Sequence, residues 1–310
     1  MDASSPAFRT DALTKVFPGG AVALQELTVT VPRGSVGLVG ANGAGKTTLF
    51  RLLLGLIRPT DGRVEVCGQP VADDPIGVRS RLGFMPEHDC LAPDQTAADL
   101  VSSFGELSGL PMRAARQRAS DVLDLVGLDE ARFRPVEGFS TGMRQRTKLA
   151  QALVADPELV LLDEPTAGLD PIGREEMLAL VARLSTFGIS VVLATHLLDD
   201  VQAVCDHVVM IDAGRLVLAG PTTQLLERAG TVRVDVGRSS DGLVDALTRH
   251  GLTATVLDDA SLEISGNGRS GDEVLDTVRD VVAQLGLPLH ALSTRHASLD
   301  EVFLRTAGER

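Results

Sequence analysis

The stretch Val36-Gly37-Leu38-Val39-Gly40-Ala41-Asn42-Gly43-Ala44-Gly45-Lys46-Thr47-Thr48-Leu49-Phe50 decides how this chain folds. An apolar run leads into a glycine-rich loop, and the loop leads into a segment of helical spacing. The spacing Gly-x-x-x-x-Gly-Lys-Thr, from Gly40 to Thr47, is that of a phosphate-binding loop. Glycines let the backbone turn tightly and aim successive N–H groups inward, which makes an anion-sized nest. The helix that follows adds the positive end of its dipole at the same point. The candidate phosphate-binding residues are therefore Gly40, Asn42, Gly43, Ala44, Gly45, Lys46, Thr47 and Thr48. Lys46 is expected to reach the outer phosphates and Thr47 to ligate Mg²⁺. A glycine turn that fits the pattern by chance is the competing reading, and the flanking strand and helix speak against it.

With 310 residues the chain has room for about two domains. Its 44% apolar content supports a proper core in a soluble, globular composition. The net charge of −13 repels phosphate backbones, and Trp and Tyr are absent, so stacking platforms are scarce. Nucleic acid is thereby disfavoured as a direct partner. Among 29 basic residues only Lys15, Lys46 and Lys148 are lysines, and one of them sits in the phosphate loop. Cys67, Cys90 and Cys205 are isolated and lack metal-site spacing, as suits reduced thiols. No apolar run is long enough to span a bilayer, and the start does not read as a signal peptide.

Along the chain, residues 7–35 alternate like strands around Pro18-Gly19-Gly20, and Gly62 to Gly68 reads as a hairpin strand. Leu82 to Glu87 looks like a strand end. A helical insert is expected over about 94–150, with Leu100, Phe104 and Leu107 on one face and Val122, Leu125 and Val126 on another. Leu159-Val160-Leu161-Leu162 is wholly apolar, as a buried parallel strand should be. A helix over 171–187 and the strand 190–194 continue the alternation of a parallel α/β core. After Pro221 the order becomes β-α-β-β-α-β, that of a small α+β, ferredoxin-like domain, with strands paired around Asp258-Asp259 and a last helix over 298–306. The expected domains are 7–221 and 222–310.

The run Leu159 to Glu164 ends a buried strand in two carboxylates, at the sheet edge where such folds bind ligands. Asp163 is the candidate Mg²⁺ ligand, and Glu164 the group that orients or deprotonates the attacking water. Upstream, Phe139-Ser140-Thr141-Gly142-Met143-Arg144-Gln145 opens a helix and offers a second anion-seeking N-terminus. Taken alone, Ser140 reads as an ordinary helix cap.

Taken in order, these motifs resemble the ATP-binding subunits of ABC transporters, over about residues 7–220. The resemblance implies a P-loop ATPase core with an antiparallel β subdomain and a helical insert. It implies that Ser140, Thr141 and Gly142 cap the γ-phosphate held by a second ATPase subunit, identical or paired. Asp170, in Gly168-Leu169-Asp170, matches the loop that communicates across that dimer, and His196 matches the switch histidine that contacts the γ-phosphate and holds Glu164. Phe17 stands where the family stacks a tyrosine on adenine, with a core aromatic as the alternative. Glu87 stands where the family has a glutamine, as a further oxygen for Mg²⁺. Thr141 replaces a glycine of the signature, and Met143 a glutamine.

Ser298-Leu299-Asp300-Glu301-Val302-Phe303-Leu304 resembles the closing segment of drug- and lipid-type exporter subunits, whose small C-terminal domain serves regulation or dimer support. The resemblance thus implies an ATPase at the cytoplasmic face of a membrane, bound to a separate membrane-spanning permease near Glu87, His88 and the helical insert. A translation or DNA-repair clamp of the same superfamily is the first alternative, and a non-hydrolysing nucleotide-dependent regulator the second.

Overall fold

The computed structural model describes residues 5–229, 231–237, 241–257, 261–266 and 269–295, together with Leu299 and Val302. The chain divides into two units, one ending at Ala219 and the other beginning at Gly220.

The first unit runs β1 (Phe8–Val16), β2 (Val22–Val31), β3 (Ser35–Val39), α1 (Lys46–Leu53), β4 (Asp61–Val66), β5 (Gln69–Pro70), α2 (Pro75–Arg79) and β6 (Leu82–Met85). It continues with α3 (Ala97–Leu107), α4 (Met112–Leu125), α5 (Thr141–Leu153), β7 (Leu159–Asp163), α6 (Pro171–Thr186), β8 (Ser190–Thr195), α7 (Leu198–Val204), β9 (His207–Asp212) and β10 (Arg215–Pro221). Two sheets result, in the orders β2-β1-β4-β5 and β10-β9-β3-β8-β7-β6. The first is antiparallel. In the second, β9, β3, β8, β7 and β6 run parallel.

Every residue of β3, β7 and β8 is buried. That explains why these strands are apolar throughout and do not alternate: both faces of a parallel sheet are covered. The alternating β2, by contrast, lies in a sheet with one wet face. One correction concerns the insert. Leu107, expected on one face of α3 with Leu100 and Phe104, is 81% exposed: α3 ends there, and its last turn packs through Gly105 against Ala115 and Val154 instead. The strands β9 and β10 were not singled out in the sequence, although Val208-Val209-Met210-Ile211 is as apolar as β7.

The two sheets are locked at one point by backbone contact. Gly45 has a positive φ of 109°, and a Cβ on it would lie 2.6 Å from the Ala23 carbonyl oxygen of β2. A Cβ on Gly214, in the β9–β10 turn, would meet the same oxygen at 2.6 Å. Around it the Gly214 N–H donates to Ala44 O at 3.1 Å and the Gln25 N–H donates to Gly214 O at 2.9 Å. Only glycine fits at these two positions.

The second unit runs α8 (Thr222–Ala229), β11 (Thr231–Asp235), α9 (Asp241–Arg249), β12 (Thr253–Val256), β13 (Leu262–Ser265), α10 (Gly271–Gln284) and β14 (Ala291–Arg295). Its sheet has the order β12-β13-β11-β14, and all three pairings are antiparallel. Val232, Val234, Leu262 and Ile264 pack with Leu243 and Leu247 of α9 and with Val274, Val278, Val281 and Val282 of α10. Ser270 and Glu273 close a capping box at the start of α10. The turn at Asp258-Asp259 and most of the segment 298–306 lie outside the described residues; Leu299 and Val302 are helical and buried. Among the described residues, no helix is long and apolar enough to cross a membrane.

Glu158, just before β7, takes two bonds from Arg81, at 2.7 and 3.0 Å, and one from Arg33 at 3.1 Å. The Arg81 hydrogen bonds hold its carboxyl below the usual value of 4.5, with Arg33 helping and partial burial opposing. Its stabilising effect is therefore complete above that value and is lost as pH falls through the lowered one. Glu158→Gln is expected to cost on the order of 1 kcal/mol at neutral pH. The gap to the parent should close in acid, as denaturant unfolding at several pH values would measure.

Candidate functional site

Strand register builds the site. Val39 of β3 pairs with Thr195 of β8, and Ala194 of β8 pairs with Asp163 of β7. Met85 of β6 pairs with Leu162 of β7. The C-terminal ends of four strands thus stand level, and the next residues are Gly40, His196, Glu164 and Pro86-Glu87. A cavity of about 260 Å³ opens there, lined by Asn42, Gly43, Gly45, Lys46, Thr47, Thr48, Glu87, Asp163 and Glu164, with Ala23 and Ala41. Residues far apart in sequence meet here as the motif order predicts. Gly40 itself lies tight against the sheet: a Cβ on it would stand 2.4 Å from Ile211 O and 2.8 Å from the Ala44 Cβ.

Lys46 opens α1 and is 6% exposed. Its Nζ donates to Gly40 O at 2.6 Å and lies 3.7 Å from Glu164 Oε1. The ammonium is therefore held across its own loop, facing the acidic pair. Thr47 Oγ1 donates to Asp163 Oδ2 at 3.0 Å. Burial pushes the Asp163 carboxyl above the ordinary aspartate value; Glu87 and Glu164 add to the push, while the Thr47 bond and Lys46 oppose it. A buried anion of this kind is one a cation relieves. The hydroxyl of Thr47, the carboxylate of Asp163 and the nearby Glu87 are hard oxygen donors. That set suits Mg²⁺, which keeps several waters and takes one or two carboxylates together with substrate phosphates.

Glu164 sits at φ +50°, a left-handed backbone rarely adopted by a residue with a Cβ. Its N–H still donates to Ala194 O at 2.9 Å, the last bond of the β7–β8 ladder, and the positive φ then turns the chain off β7. The carboxylate is then held from β8: Thr195 Oγ1 donates to Oε2 at 3.3 Å, and His196 Nδ1 lies 3.0 Å from Oε1. Thr195 was not singled out in the sequence, and its signal was only its place beside His196.

Ser140, Thr141, Gly142 and Asp170 stand elsewhere. They line a second cavity of about 460 Å³ together with Gly168 and Arg146. Ser140 Oγ accepts from Met143 N at 3.3 Å, and Asp170 Oδ1 accepts from Gly173 N at 2.8 Å, so both residues are also helix caps. Beside Gly142, a Cβ would meet nothing closer than Leu169 at 3.8 Å, so the backbone there is open to a ligand. Phe17 is half-buried and does not line the first cavity; Lys15 Nζ lies 5.3 Å from its ring centroid.

Two further clusters escaped the sequence reading. Asp200 of α7 is fully buried; it accepts from Thr166 Oγ1 at 2.7 Å and from Arg174 Nε, and so ties the loop after Glu164 to α6 and to the helix after His196. Lys148 of α5 is 4% exposed, and its Nζ donates to Pro86 O at 2.8 Å and to Glu87 O at 3.0 Å. Its scarcity in an arginine-rich chain was the one available signal.

The family profile described as "ABC transporter" matches residues 24–167. The daunorubicin resistance ATP-binding protein DrrA3 of Streptomyces coeruleorubidus is 36% identical over 293 residues, covering 94% of this chain and 93% of that protein. The Nod factor export ATP-binding protein I of Ralstonia nicotianae is 32% identical over 98% of this chain and 95% of its own length. Among solved structures, cbiO1 of Clostridium perfringens, part of the ABC transporter complex cbiONQ, superposes with a TM-score of 0.66 at 28% identity, over 72% of this chain and 91% of that one. The MJ0796 cassette dimer with ADP and Pi shares the fold, with a TM-score of 0.64 at 24% identity over 69% of this chain and 98% of that one. With the phosphate loop, the acidic pair and the histidine gathered at one sheet edge, the chain belongs to the ABC transporter family, as an ATP-binding subunit that hydrolyses ATP.

Proposed function

We propose that the chain is the motor of an exporter: two ATP-loaded subunits close on each other, hydrolysis reopens them, and the motion drives a separate membrane-spanning permease. The observation that carries this reading is the separation of two phosphate-seeking surfaces within one chain. The cavity at Lys46 contains no residue of the Ser140–Gly142 segment, and that segment borders an open cavity of its own. Each surface is half of a site, and a second subunit supplies the other half. The second subunit is a copy of this chain or a close relative of it.

Lys46 leaves the loop carbonyls to bind the outer phosphates of ATP, and the loop amides hold the rest. Thr47 and Asp163, with Glu87 beside them, would hold Mg²⁺, which would supply positive charge against the charge that builds up during phosphoryl transfer. Glu164 Oε accepts the proton of the attacking water while Thr195 and His196 keep the carboxylate aimed. Phe17 is proposed to stack on adenine, and Asp170 to face the partner subunit. Export is favoured by the relatives named for daunorubicin resistance and Nod factor export. The permease anchors the subunit at the cytoplasmic face of the membrane near Glu87 and His88, and the unit from Gly220 onward regulates or supports the dimer.

Glu164→Gln should still bind ATP and form dimers in gel filtration while hydrolysis falls by about 100-fold or more. Hydrolysis at the parental rate removes Glu164 from the role of base. Glu87→Gln is expected to raise kcat and flatten the dependence on free Mg²⁺, because it removes one charge beside Asp163 and Glu164. Identical rates for parent and variant across a Mg²⁺ titration would refute that.

A further inference from the structure

Among the described residues, the mechanism leaves one buried cation unused. The chain contains only three lysines among its 29 basic residues, and two of them are buried: Lys46, which lines the nucleotide cavity, and Lys148. Lys148 does not line that cavity. It lies beneath the loop that carries Glu87 and donates to the backbone carbonyls of Pro86 and Glu87. A buried ammonium without acceptors is strongly unfavourable, so these two carbonyls are fixed wherever Lys148 is fixed. A compact ammonium can serve two adjacent carbonyls from below, whereas a planar guanidinium fork demands a wider set of acceptors.

One turn earlier on the same face of α5 stands Arg144. Its Nη1 donates to Asp89 Oδ2 at 2.8 Å, and its other nitrogens donate to Phe139 O at 3.4 Å and Glu137 O at 3.2 Å. Arg144 thus grips the far end of the same loop and the approach to Ser140 together. The 86–89 loop is therefore held at both ends by α5, the helix whose N-terminus carries Ser140, Thr141 and Gly142. Glu87 reaches the nucleotide cavity from that loop, although no residue of α5 does.

We propose that Lys148, with Arg144, is a positioning residue that sets the reach of the Glu87 carboxylate and couples it rigidly to the start of α5. This rests on the reading that Glu87 faces the metal side of the nucleotide site. The carboxylate in place of the family's glutamine adds a charge there, and Lys148 supplies a fixed cation beneath it. A change in the position of Glu87 on nucleotide binding is then passed to Ser140 through two short ties, with no element in between free to absorb it.

The test uses the full chain, the fluorescent analogue mant-ATP and amide hydrogen exchange. The first readout is the ratio of mant-ATP dissociation constants without and with Mg²⁺, which measures the linkage between metal and nucleotide. Glu87→Ala and Lys148→Met should each lower this ratio about threefold or more, and Lys148→Met should have less than about a 1.5-fold effect in the Glu87→Ala background. The second readout is exchange at the Glu87 to Leu91 amides without nucleotide, expected to quicken about tenfold in Lys148→Met while the sheet strands are unchanged.

If Glu87→Ala leaves the ratio at its parental value, the reading of Glu87 falls and the inference with it. If Glu87→Ala lowers the ratio but Lys148→Met does not, or if the Lys148→Met effect persists without Glu87, the positioning role is overturned while the reading of Glu87 survives. Unaltered loop exchange in Lys148→Met also overturns it. Should Lys148→Met not fold, Asp89→Asn cuts the exposed tie to Arg144 and must quicken loop exchange about threefold for the proposal to stand.

Discussion

Everything chemical in the first unit depends on strand register at one sheet edge. With Val39 level with Thr195, and Asp163 level with Ala194, four chain segments leave the sheet at the same height. A shift of one residue in β7 would send Asp163 and Glu164 to opposite faces from those they now occupy. That shift is resisted by the ladders that pair β7 with both β6 and β8, and by close packing on both faces, which a differently shaped set of side chains would not fit. The strands thus align the chain exits, and side-chain bonds such as those of Thr195 and His196 to Glu164 complete the placement.

On that aligned edge negative charge is in excess. Three carboxylates, from Glu87, Asp163 and Glu164, border one cavity, and Lys46 lies within ion-pair distance of Glu164. Burial and like-charge neighbours push Asp163 up, so the site is built to gain from a cation and from the phosphates that bring it. The strained backbone at Glu164 belongs to the same economy of placement. A left-handed residue after β7 throws its side chain back toward β8, where Thr195 and His196 wait for it.

How much of this the sequence carried differs by element. The phosphate loop, the acidic pair and the parallel core were legible because each depends on local spacing: glycines at turns, an apolar strand, acids at its end. Ser140 was equally legible, because a helix cap is a local device. What escaped depends on distant pairing. Lys148 meets Pro86 and Glu87 across about sixty positions, and Asp200 meets Thr166 across more than thirty. Thr195 mattered only once β8 lay beside β7. Leu107 fits a helical period, yet period says nothing of which side of the last turn packs, and that side is Gly105's. Phe17 has the right chemistry for an adenine platform, but whether a ring lines a cavity is decided by the turn that carries it.

The meeting of Gly45, Gly214 and the Ala23 carbonyl has an evolutionary side. The phosphate loop is seated by main chain against main chain, with glycine the only residue admitted at two of the three contacts. Drift at side chains cannot loosen such a seat by degrees; it is kept whole or lost. The attachment of α5 to the 86–89 loop is of the opposite kind, made of long charged side chains that single substitutions can shorten, neutralise or exchange. Within one fold, the seat of the Gly40–Thr48 loop is thus closed to gradual variation, while the tie between the 86–89 loop and α5 is freely adjustable. Under the coupling proposed above, descendants of this chain can retune how strongly nucleotide binding is felt elsewhere without altering the seat of the Gly40–Thr48 loop.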